Sequence, residues 1–285
     1  MTKKFNNYVS LILILLLFSL ISVGCSNSKD ETTPATSNET KSAIEKIKES
    51  KKIVLGTCAD YPPYEFHKQI NGKDTIVGFD IDIAKEVAKD LGVELEIKDM
   101  DFNGLLAALD TENIDFVVAG MVPTEKRKKS VNFSKVYYNP EQGLLVRAED
   151  KEKYKSIEDL KGMKVGAQKG TMQEDIVLKV FEDPQLKALG KITDLVLELK
   201  NKKIDGVVLA TPAAIAYDKS NPDLSLSPYI NFRKEDGAPV EDGVAIAIKK
   251  GEKELVDAVN KTIDRLIEEK LLEKFIQDAT VLSEE

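Results

Sequence analysis

The side chains in this sequence best suited to nucleophilic chemistry are Cys58 and His67. A cysteine nucleophile needs a neighbouring base to form its thiolate, and His67 is the one histidine of the chain. His67 stands in a polar turn, and nothing in the sequence brings it to the cysteine. Cys58 is therefore interpreted as a small packing residue in a cleft wall.

Paired carboxylates, a second source of acid and base chemistry, occur at Asp80/Asp82 and Asp99/Asp101. Their positions fit the start of a helix and the end of a strand, where such residues cap the backbone. No spacing typical of metal ligands or of a phosphate-binding glycine loop is present, so neither a metal nor a cofactor is predicted. The sequence does not predict an enzyme.

The first 25 residues are typical of an export signal. Lys3 and Lys4 precede an apolar run, 9–23, that is shorter than the roughly 20 residues of a spanning helix and ends just before Cys25. This arrangement predicts a cleaved leader over 1–24 and lipid, including palmitate, on Cys25. An uncleaved anchor is the alternative, and either version places the folded chain outside the cytoplasm.

The mature chain begins with a polar stretch that lacks apolar periodicity, and 25–41 is predicted to be a tether. About 240 residues follow, enough for two lobes. If Cys25 carries lipid, Cys58 has no disulfide partner, so the core must supply the stability. The net charge of −8, which becomes −10 when Lys3 and Lys4 leave with the leader, argues against nucleic acid as a partner.

Strand and helix patterns alternate through the first part of the body. Asp80 is the predicted N-cap of a helix whose apolar face ends at Gly92. The alternation predicts an α/β fold with mainly parallel strands covered on both faces by helices. The other predicted elements are a strand at 52–57, a proline-containing loop at 60–64, a strand at 94–97, a helix at 103–109 and a strand at 115–120.

An internal repeat predicts two lobes of similar build. The pattern Leu-x3-Leu-x4-Ile-Asp-x-Val-Val occurs at 105–118 and again at 195–208, each time as a helix, a polar turn and a buried strand. A weaker echo pairs Lys52-Ile-Val-Leu-Gly56 with Lys164-Val-Gly166. The alternative is that such units merely look alike in any α/β protein.

Two chain crossings between the lobes are expected, near 139–144 and 234–243, where Pro, Gly and charged residues concentrate. The predicted division is 42–141 for the first lobe, 142–238 for the second, and 239–285 back in the first. The last part contains a strand at 244–248 and one or two helices over 252–275. The predicted apolar face of these helices is formed by Leu255, Val259, Ile263, Leu266 and Ile267.

Nearly the whole mature chain resembles the extracellular solute-binding proteins of polar amino-acid ABC importers, a branch of the type II periplasmic-binding-protein fold. This resemblance implies a ligand held between the lobes by loops that follow the strands. The blocks that carry the resemblance are Gly56-Thr-x-Ala-Asp-Tyr-Pro-Pro-Tyr-Glu-Phe66, Val77-Gly-Phe-Asp-Ile-Asp-Ile-Ala-Lys85, Asp99-Met-Asp-Phe102, Ala119-Gly-Met121 through Arg127, Val131-Asn-Phe-Ser134 with Tyr137-Tyr138, Ile157-Glu-Asp-Leu-Lys-Gly162 and Val244-Ala-Ile-Ala-Ile-Lys-Lys-Gly251.

The resemblance assigns roles to individual positions. Tyr61 and Phe102 match the aromatic pair that sandwiches the ligand side chain, and Arg127 matches the arginine that grips the ligand α-carboxylate. Gln168 matches a position that contacts the ligand side chain. The segment from Lys169 to Gln173 precedes a helix, so the backbone N–H groups around Thr171, Met172 and Gln173 are expected to receive a carboxylate.

The amine end of the implied pocket departs from the family pattern. Cys58, Val122 and Ala210 stand where acidic or hydroxyl residues are usual, and a buried ammonium without acceptors costs several kcal/mol. Either the ammonium is bound by the Gly120 carbonyl, beside Met121, and by a relocated carboxylate such as Glu241 or Asp242, or the ligand lacks an α-amine. The first alternative is favoured because the carboxylate-binding half matches the family.

The implied mechanism is hinge closure of a monomer on an amino acid, followed by recognition of the closed form by the membrane subunits of an ABC importer. The protein would act on the outer face of the cell membrane, attached through its lipid. Two alternatives stay open: a sensor that docks on a signalling protein, and a dehydratase-like enzyme on the same fold.

Overall fold

The computed structural model describes residues 41–234, 236–240 and 243–284. The predicted leader, the lipidated Cys25, the tether up to residue 40, and the candidate acids Glu241 and Asp242 lie outside the described residues. In the described part of the chain, no helix is both long and apolar enough to cross a membrane.

Strands and helices alternate along the described chain. The strands are β1 (Lys52–Thr57), β2 (Asp60–Tyr61), β3 (Glu65–Ile70), β4 (Lys73–Val77), β5 (Glu94–Asp99), β6 (Phe116–Val117), β7 (Val131–Tyr138), β8 (Gln142–Arg147), β9 (Lys164–Gln168), β10 (Gln185–Leu189), β11 (Gly206–Ala210), β12 (Leu224–Phe232) and β13 (Val244–Lys249). The α-helices are α1 (Ala43–Ser50), α2 (Phe79–Leu91), α3 (Leu105–Asp110), α4 (Glu125–Ser130), α5 (Met172–Val180), α6 (Ile192–Lys200), α7 (Thr211–Ser220), α8 (Lys253–Glu268) and α9 (Leu271–Glu284). Short 3-10 turns occur at Phe102–Gly104, Ala148–Asp150 and Ile157–Leu160.

Two five-stranded sheets organise the molecule, with orders β5-β1-β6-β13-β7 and β10-β9-β11-β8-β12. Each sheet and the helices packed on it form one lobe, and the predicted two-lobed α/β fold is confirmed. Strands run parallel only within β5-β1-β6 and β10-β9-β11; the other pairings are antiparallel. The sheets are therefore mixed. The strands β8 and β13, which each follow a passage between the sheets, run antiparallel to their neighbours.

The chain passes from the first sheet to the second between β7 and β8, and it returns between β12 and β13. A small antiparallel sheet, β2-β3-β4, extends from the first lobe beside the loop that follows β1. The passages and this small sheet border the region where the two lobes face each other.

The internal repeat appears as two equivalent units, α3 with β6 and α6 with β11. A Cβ on Gly56 would lie 2.3 Å from Ile114, and a Cβ on Gly166 would lie 2.8 Å from Ile204. In both lobes, a glycine therefore lets the repeat pack closely against the neighbouring parallel strand.

The aspartates of the two repeat copies also play the same part. Asp115 accepts a hydrogen bond from the Val54 N–H at 2.7 Å, and Asp205 accepts one from the Lys164 N–H at 3.2 Å. Each carboxylate thus satisfies a backbone donor of the neighbouring parallel strand, β1 in one lobe and β9 in the other.

Helix α2 begins at Phe79, one residue before Asp80, the predicted N-cap. Gly78 occupies the N-cap with φ 128°, where a Cβ would meet the Tyr64 carbonyl oxygen at 2.1 Å. Asp80 is not an N-cap: it is buried in the helix's first turn and accepts hydrogen bonds from the Tyr137 hydroxyl and the Gly120 N–H. Because the backbone at Gly78 lies close to the Tyr64 carbonyl, the first turn of α2 is in the core. There Asp80 connects α2 to Tyr137 of β7.

Two other expectations change in detail. The strand expected at 115–120 is only β6, and residues 118–120 leave the sheet, with Gly120 at φ 51°. Helices α8 and α9 do pack on the first lobe, with Leu255 and Leu266 in its core, but Ile267 is 51% exposed. Ile267 lies one position further round α8 than Leu266 and therefore points away from the lobe.

Candidate functional site

A cavity lies between the two lobes at the carboxyl ends of their parallel strands, where open α/β sheets bind ligands. In the described arrangement its volume is about 20 Å³. The described residues that line it are Tyr61, Glu65, Phe102, Ala119, Gly120, Val122, Arg127, Gln168, Thr171, Met172 and Gln173. Most of the candidate site residues singled out by the sequence therefore converge here from both lobes.

Arg127 turns into the cleft from α4, which begins at the N-cap Thr124. Its guanidinium donates to the Val122 carbonyl at 2.7 Å and, across the cleft, to the Gly170 carbonyl at 2.8 Å. It also lies over the ring of Phe102, 5.3 Å from the centroid. This geometry places a fixed positive charge at the junction of the lobes, where a ligand carboxylate can exchange with the Gly170 carbonyl.

The two candidate aromatic residues form walls of the cavity. Phe102 is buried in the short 3-10 turn before α3, beneath the Arg127 guanidinium. Tyr61 stacks on Tyr64 with 5.0 Å between ring centroids, and its hydroxyl oxygen accepts the Ala210 N–H of the second lobe at 2.8 Å. Tyr61 therefore acts both as cavity wall and as a contact between lobes.

The second lobe presents the start of helix α5 to the cavity. Thr171 is the N-cap and its hydroxyl donates to the Gln168 carbonyl at 2.6 Å, while the Gln173 amide donates to Gln142 at 2.8 Å. The N–H groups of a helix's first turn have no partners within the helix, and the helix dipole adds partial positive charge. The Thr171 N–H already donates to the Gln168 carbonyl at 3.2 Å, so of the three predicted backbone donors Met172 and Gln173 are the ones placed to receive an anion.

Cys58 lies in the interlobe contact but does not line the cavity. Its thiol donates to Asp60 at 3.4 Å and accepts from the Gln168 amide at 3.4 Å. Burial, followed by the nearby Asp60 charge, raises the pKa of this thiol far above its ordinary value. His67 instead contacts Asp74 at 2.8 Å and Asp99 at 3.6 Å. Cys58 therefore stays protonated, a poor nucleophile, as its interpretation as a packing residue expects.

Asp60 reaches from the first lobe to the second. Its carboxylate accepts the Ile192 N–H at the start of α6 at 2.5 Å, and its carbonyl accepts the Tyr217 hydroxyl at 2.7 Å. Burial raises the pKa of the Asp60 carboxyl to about 6, although the Ile192 hydrogen bond opposes that shift. Together with Tyr61, Asp60 holds the lobes in contact.

Glu65 is the residue of the site that the sequence reasoning missed. It is 1% exposed, lines the cavity from β3, and hydrogen-bonds the carboxyl of Asp80. Its Oε2 atom has no hydrogen-bond partner within the described part of the chain. Burial raises the pKa of Glu65 well above its ordinary value and raises the pKa of Asp80 to about 6.

Of the three residues that departed from the family pattern, Val122 lines the cavity, whereas Cys58 and Ala210 do not. Ala210 faces Tyr61 through its backbone N–H. Met121 lies elsewhere: its side chain is fully buried in an apolar cluster and its carbonyl accepts the Ala245 N–H. Of the described residues that line the cavity, Glu65 has the only carboxyl.

Residues 53–278 match the family described as bacterial extracellular solute-binding proteins, family 3. The chain belongs to this family. It is 37% identical over 259 residues to the arginine-binding extracellular protein ArtP of Bacillus subtilis, an alignment covering 90% of this chain and 91% of ArtP. The predicted resemblance is thereby confirmed.

Solved structures give the same result. The structure of the amino acid ABC transporter substrate-binding protein AbpA from Streptococcus pneumoniae, bound to L-arginine, is 38% identical, with a TM-score of 0.80, and the match covers 85% of this chain and 99% of that one. The ancestral amino acid-binding protein AncCDT-1, a precursor of cyclohexadienyl dehydratase, is 29% identical, with a TM-score of 0.75 and coverage of 84% and 100%. These relatives are named as binding proteins, which weighs against the enzyme alternative.

Proposed function

We propose that this protein captures L-arginine in the interlobe cavity and delivers it to an ABC importer. The observation that carries the proposal is the charge arrangement of the cavity. Arg127 and the start of α5 offer donors suited to a carboxylate, whereas Glu65 offers a carboxyl to a cation. An amino acid with a cationic side chain matches both ends.

The aromatic walls favour a guanidinium over an ammonium as that cation. The Phe102 ring already stacks against one guanidinium, that of Arg127, at 5.3 Å. A planar guanidinium stacks on aromatic faces and meets a carboxylate with two donors, which a lysine ammonium does not do. The arginine side chain would then lie between Tyr61 and Phe102 and reach Glu65. The arginine-binding protein ArtP and the arginine-bound AbpA support arginine as the ligand.

The ligand α-ammonium would be left to backbone carbonyls such as that of Gly120 and to a relocated carboxylate, Glu241 or Asp242. Both acids lie outside the described residues, so this part of the proposal rests on the sequence. The alternative ligand, a carboxylate without an α-amine, needs none of these groups.

Hinge motion is part of the proposal. A cavity of about 20 Å³ has room for about one water molecule, so an amino acid fits only if the lobes separate. The two passages between the sheets are the places where such motion can occur. Small-angle X-ray scattering should show a smaller radius of gyration with arginine than without it; an unchanged radius would contradict closure.

The membrane attachment also stays a proposal, supported by the sequence around Cys25. Metabolic labelling with palmitate should mark the wild-type protein and not Cys25→Ala. Equal labelling of both would contradict the lipid anchor. Co-purification of the lipidated protein with importer subunits would support the transport hypothesis, whereas co-purification with a signalling protein would support the sensor alternative.

A ligand screen tests the central proposal. The mature chain would be titrated calorimetrically with L-arginine, L-histidine, L-glutamine, agmatine, which lacks the carboxylate, and 5-guanidinopentanoate, which lacks the α-amine. We expect L-arginine to bind best, and at 100 times its Kd to stabilise the fold by about 2.7 kcal/mol. Preference for 5-guanidinopentanoate would replace the ligand class, and preference for glutamine would refute the role assigned to Glu65.

A further inference from the structure

Glu65 and Asp80 form a pair of buried carboxyls at the base of the ligand cavity. Both are almost completely buried, and they are hydrogen-bonded to each other. Such a bond between two carboxyls requires a proton on one of them, since two adjacent buried negative charges repel strongly.

The hydrogen bonds around the pair show which carboxyl holds that proton. Asp80 accepts from the Gly120 N–H at 2.8 Å and from the Tyr137 hydroxyl at 2.9 Å, and these donors stabilise its ionised form. Glu65 has no such donor at Oε2 within the described residues. The proton therefore resides on Glu65, which donates it to Asp80.

Other charged and titratable groups face the pair from several elements. Asp60 and Asp99 add negative potential that favours the protonated form of Glu65. Tyr61 and Arg127 line the same cavity, and the Tyr64 hydroxyl is buried beside it. A cation brought to Oε2 would favour ionisation of Glu65 more directly than any of these groups.

We propose that the protein exchanges a proton for its cationic ligand: the ligand guanidinium takes the place of the Glu65 proton, which leaves to solvent. The O–H bond of Glu65 breaks, the carboxylate keeps the electron pair, and the guanidinium donates to that carboxylate. The total charge inside the cavity is thereby unchanged on binding. This inference rests on the proposed function, because it requires a cationic side chain at Glu65.

Proton exchange fixes the direction of the pH dependence. While Glu65 holds its proton before binding, arginine must displace it, so arginine affinity should rise as pH rises, by up to about tenfold per pH unit. L-citrulline has the same shape without the charge and can accept a hydrogen bond from protonated Glu65, so it displaces no proton. Closure buries Asp60 and thereby favours proton uptake, but this contribution is common to both ligands and cancels in their comparison.

The test is isothermal titration calorimetry of the mature wild-type protein with L-arginine and L-citrulline, in phosphate and in Tris near neutral pH. The apparent enthalpy should depend on the buffer for arginine, and should correspond to release of about one proton more than for citrulline. Arginine binding with the same proton count as citrulline would overturn this inference and leave the proposed function intact. Failure of arginine to bind at all would overturn both.

Two variants sharpen the result. Glu65→Gln keeps a hydrogen-bond donor but has no proton to lose, so it should abolish the extra proton release and the preference for arginine over citrulline. Glu94→Gln removes an exposed acid on β5 and should behave as wild type. Extra proton release that persists in Glu65→Gln would assign it to another group and overturn the inference. If Glu65→Gln does not fold, the two wild-type titrations still decide.

Discussion

The two lobes share a framework and differ in what they present to the cavity. In each, a helix–turn–strand unit packs against a strand glycine, Gly56 or Gly166, and an aspartate, Asp115 or Asp205, bonds the adjacent strand. Beyond the strand ends, the first lobe presents charged and aromatic side chains, whereas the second presents largely backbone groups and amides.

This difference divides the work of recognition. In the proposed site, charged side chains on the first lobe would select the sign and shape of the ligand, and the second lobe would supply backbone donors that any sequence forming α5 would supply. Substitutions in the first lobe should therefore change specificity, whereas side-chain truncations in the second should have little effect unless they disturb the shared framework.

Arg127→Ala should cause the largest loss of arginine affinity. Each guanidinium bond to a carboxylate contributes about 1.5–3 kcal/mol, so loss of two should raise the Kd for arginine at least about 100-fold. Gln173→Ala on the second lobe keeps its backbone N–H and should change the Kd by less than about fivefold. Calorimetry checks both, with Lys128→Ala, an exposed lysine of the same helix, as control. Retained binding in Arg127→Ala would refute its role at the carboxylate.

Gly56→Ala and Gly166→Ala test whether the shared framework matters equally in both lobes. The added methyl group would overlap Ile114 in one lobe and Ile204 in the other, so each variant should lose about 1–3 kcal/mol of unfolding free energy. Urea denaturation measures this loss. Gly104→Ala, where no atom lies within 4 Å of the added Cβ, should stay within about 0.5 kcal/mol of wild type. A neutral result in only one lobe would show that the packing is not equivalent.

Asp115→Ala and Asp205→Ala remove the matching strand bonds. Each leaves a backbone N–H without its carboxylate, which should lower the unfolding free energy by about 0.5–1.5 kcal/mol. The loss should be larger at Asp205, which also accepts a hydrogen bond from the buried Arg147 guanidinium at 3.3 Å, so that Asp205→Ala removes a partner of a buried charge as well as the Lys164 bond. Denaturation curves would contradict the ranking if Asp115→Ala were the less stable variant.

Cys58→Ser should have the smallest effect. A serine hydroxyl can still donate to Asp60 and accept from Gln168, so the arginine Kd should change tenfold or less. A loss of more than about 100-fold in the same calorimetric assay would mean that the thiol contacts the ligand directly.

The elements that repeat in the sequence were among those that could be predicted. The spacing of apolar residues at 105–118 and 195–208 is local, and both copies became a helix, a turn and a strand. Ile267 was placed on the wrong face because it follows Ile263 by four residues, although the single step from Leu266 turns it about 100° round the helix. The strand at 115–120 was predicted too long, because Val118 and its neighbours leave the sheet toward the cleft.

The central acids of the site could not be predicted in the same way. Asp80 looks like a helix cap, and its burial depends on Tyr137, which is 57 residues away. Glu65 stands in a block that the family resemblance identified, but its burial comes from packing between α2 and the small sheet. The aromatic pair, Arg127 and the start of α5 were found because a family pattern specified them; the roles of all these residues in binding stay predictions.

Asp80 also determines the order in which the site would assemble. It connects α2, the Gly120 loop and Tyr137, which lies at the end of β7 just before the chain leaves the first sheet. The acids and aromatic walls therefore all belong to the first lobe, on one side of the passages between the lobes. If the lobes open as proposed, the first-lobe half of the site stays assembled while the second lobe moves away from it. An incoming ligand would first bind to the first lobe, and the second lobe would then close over it.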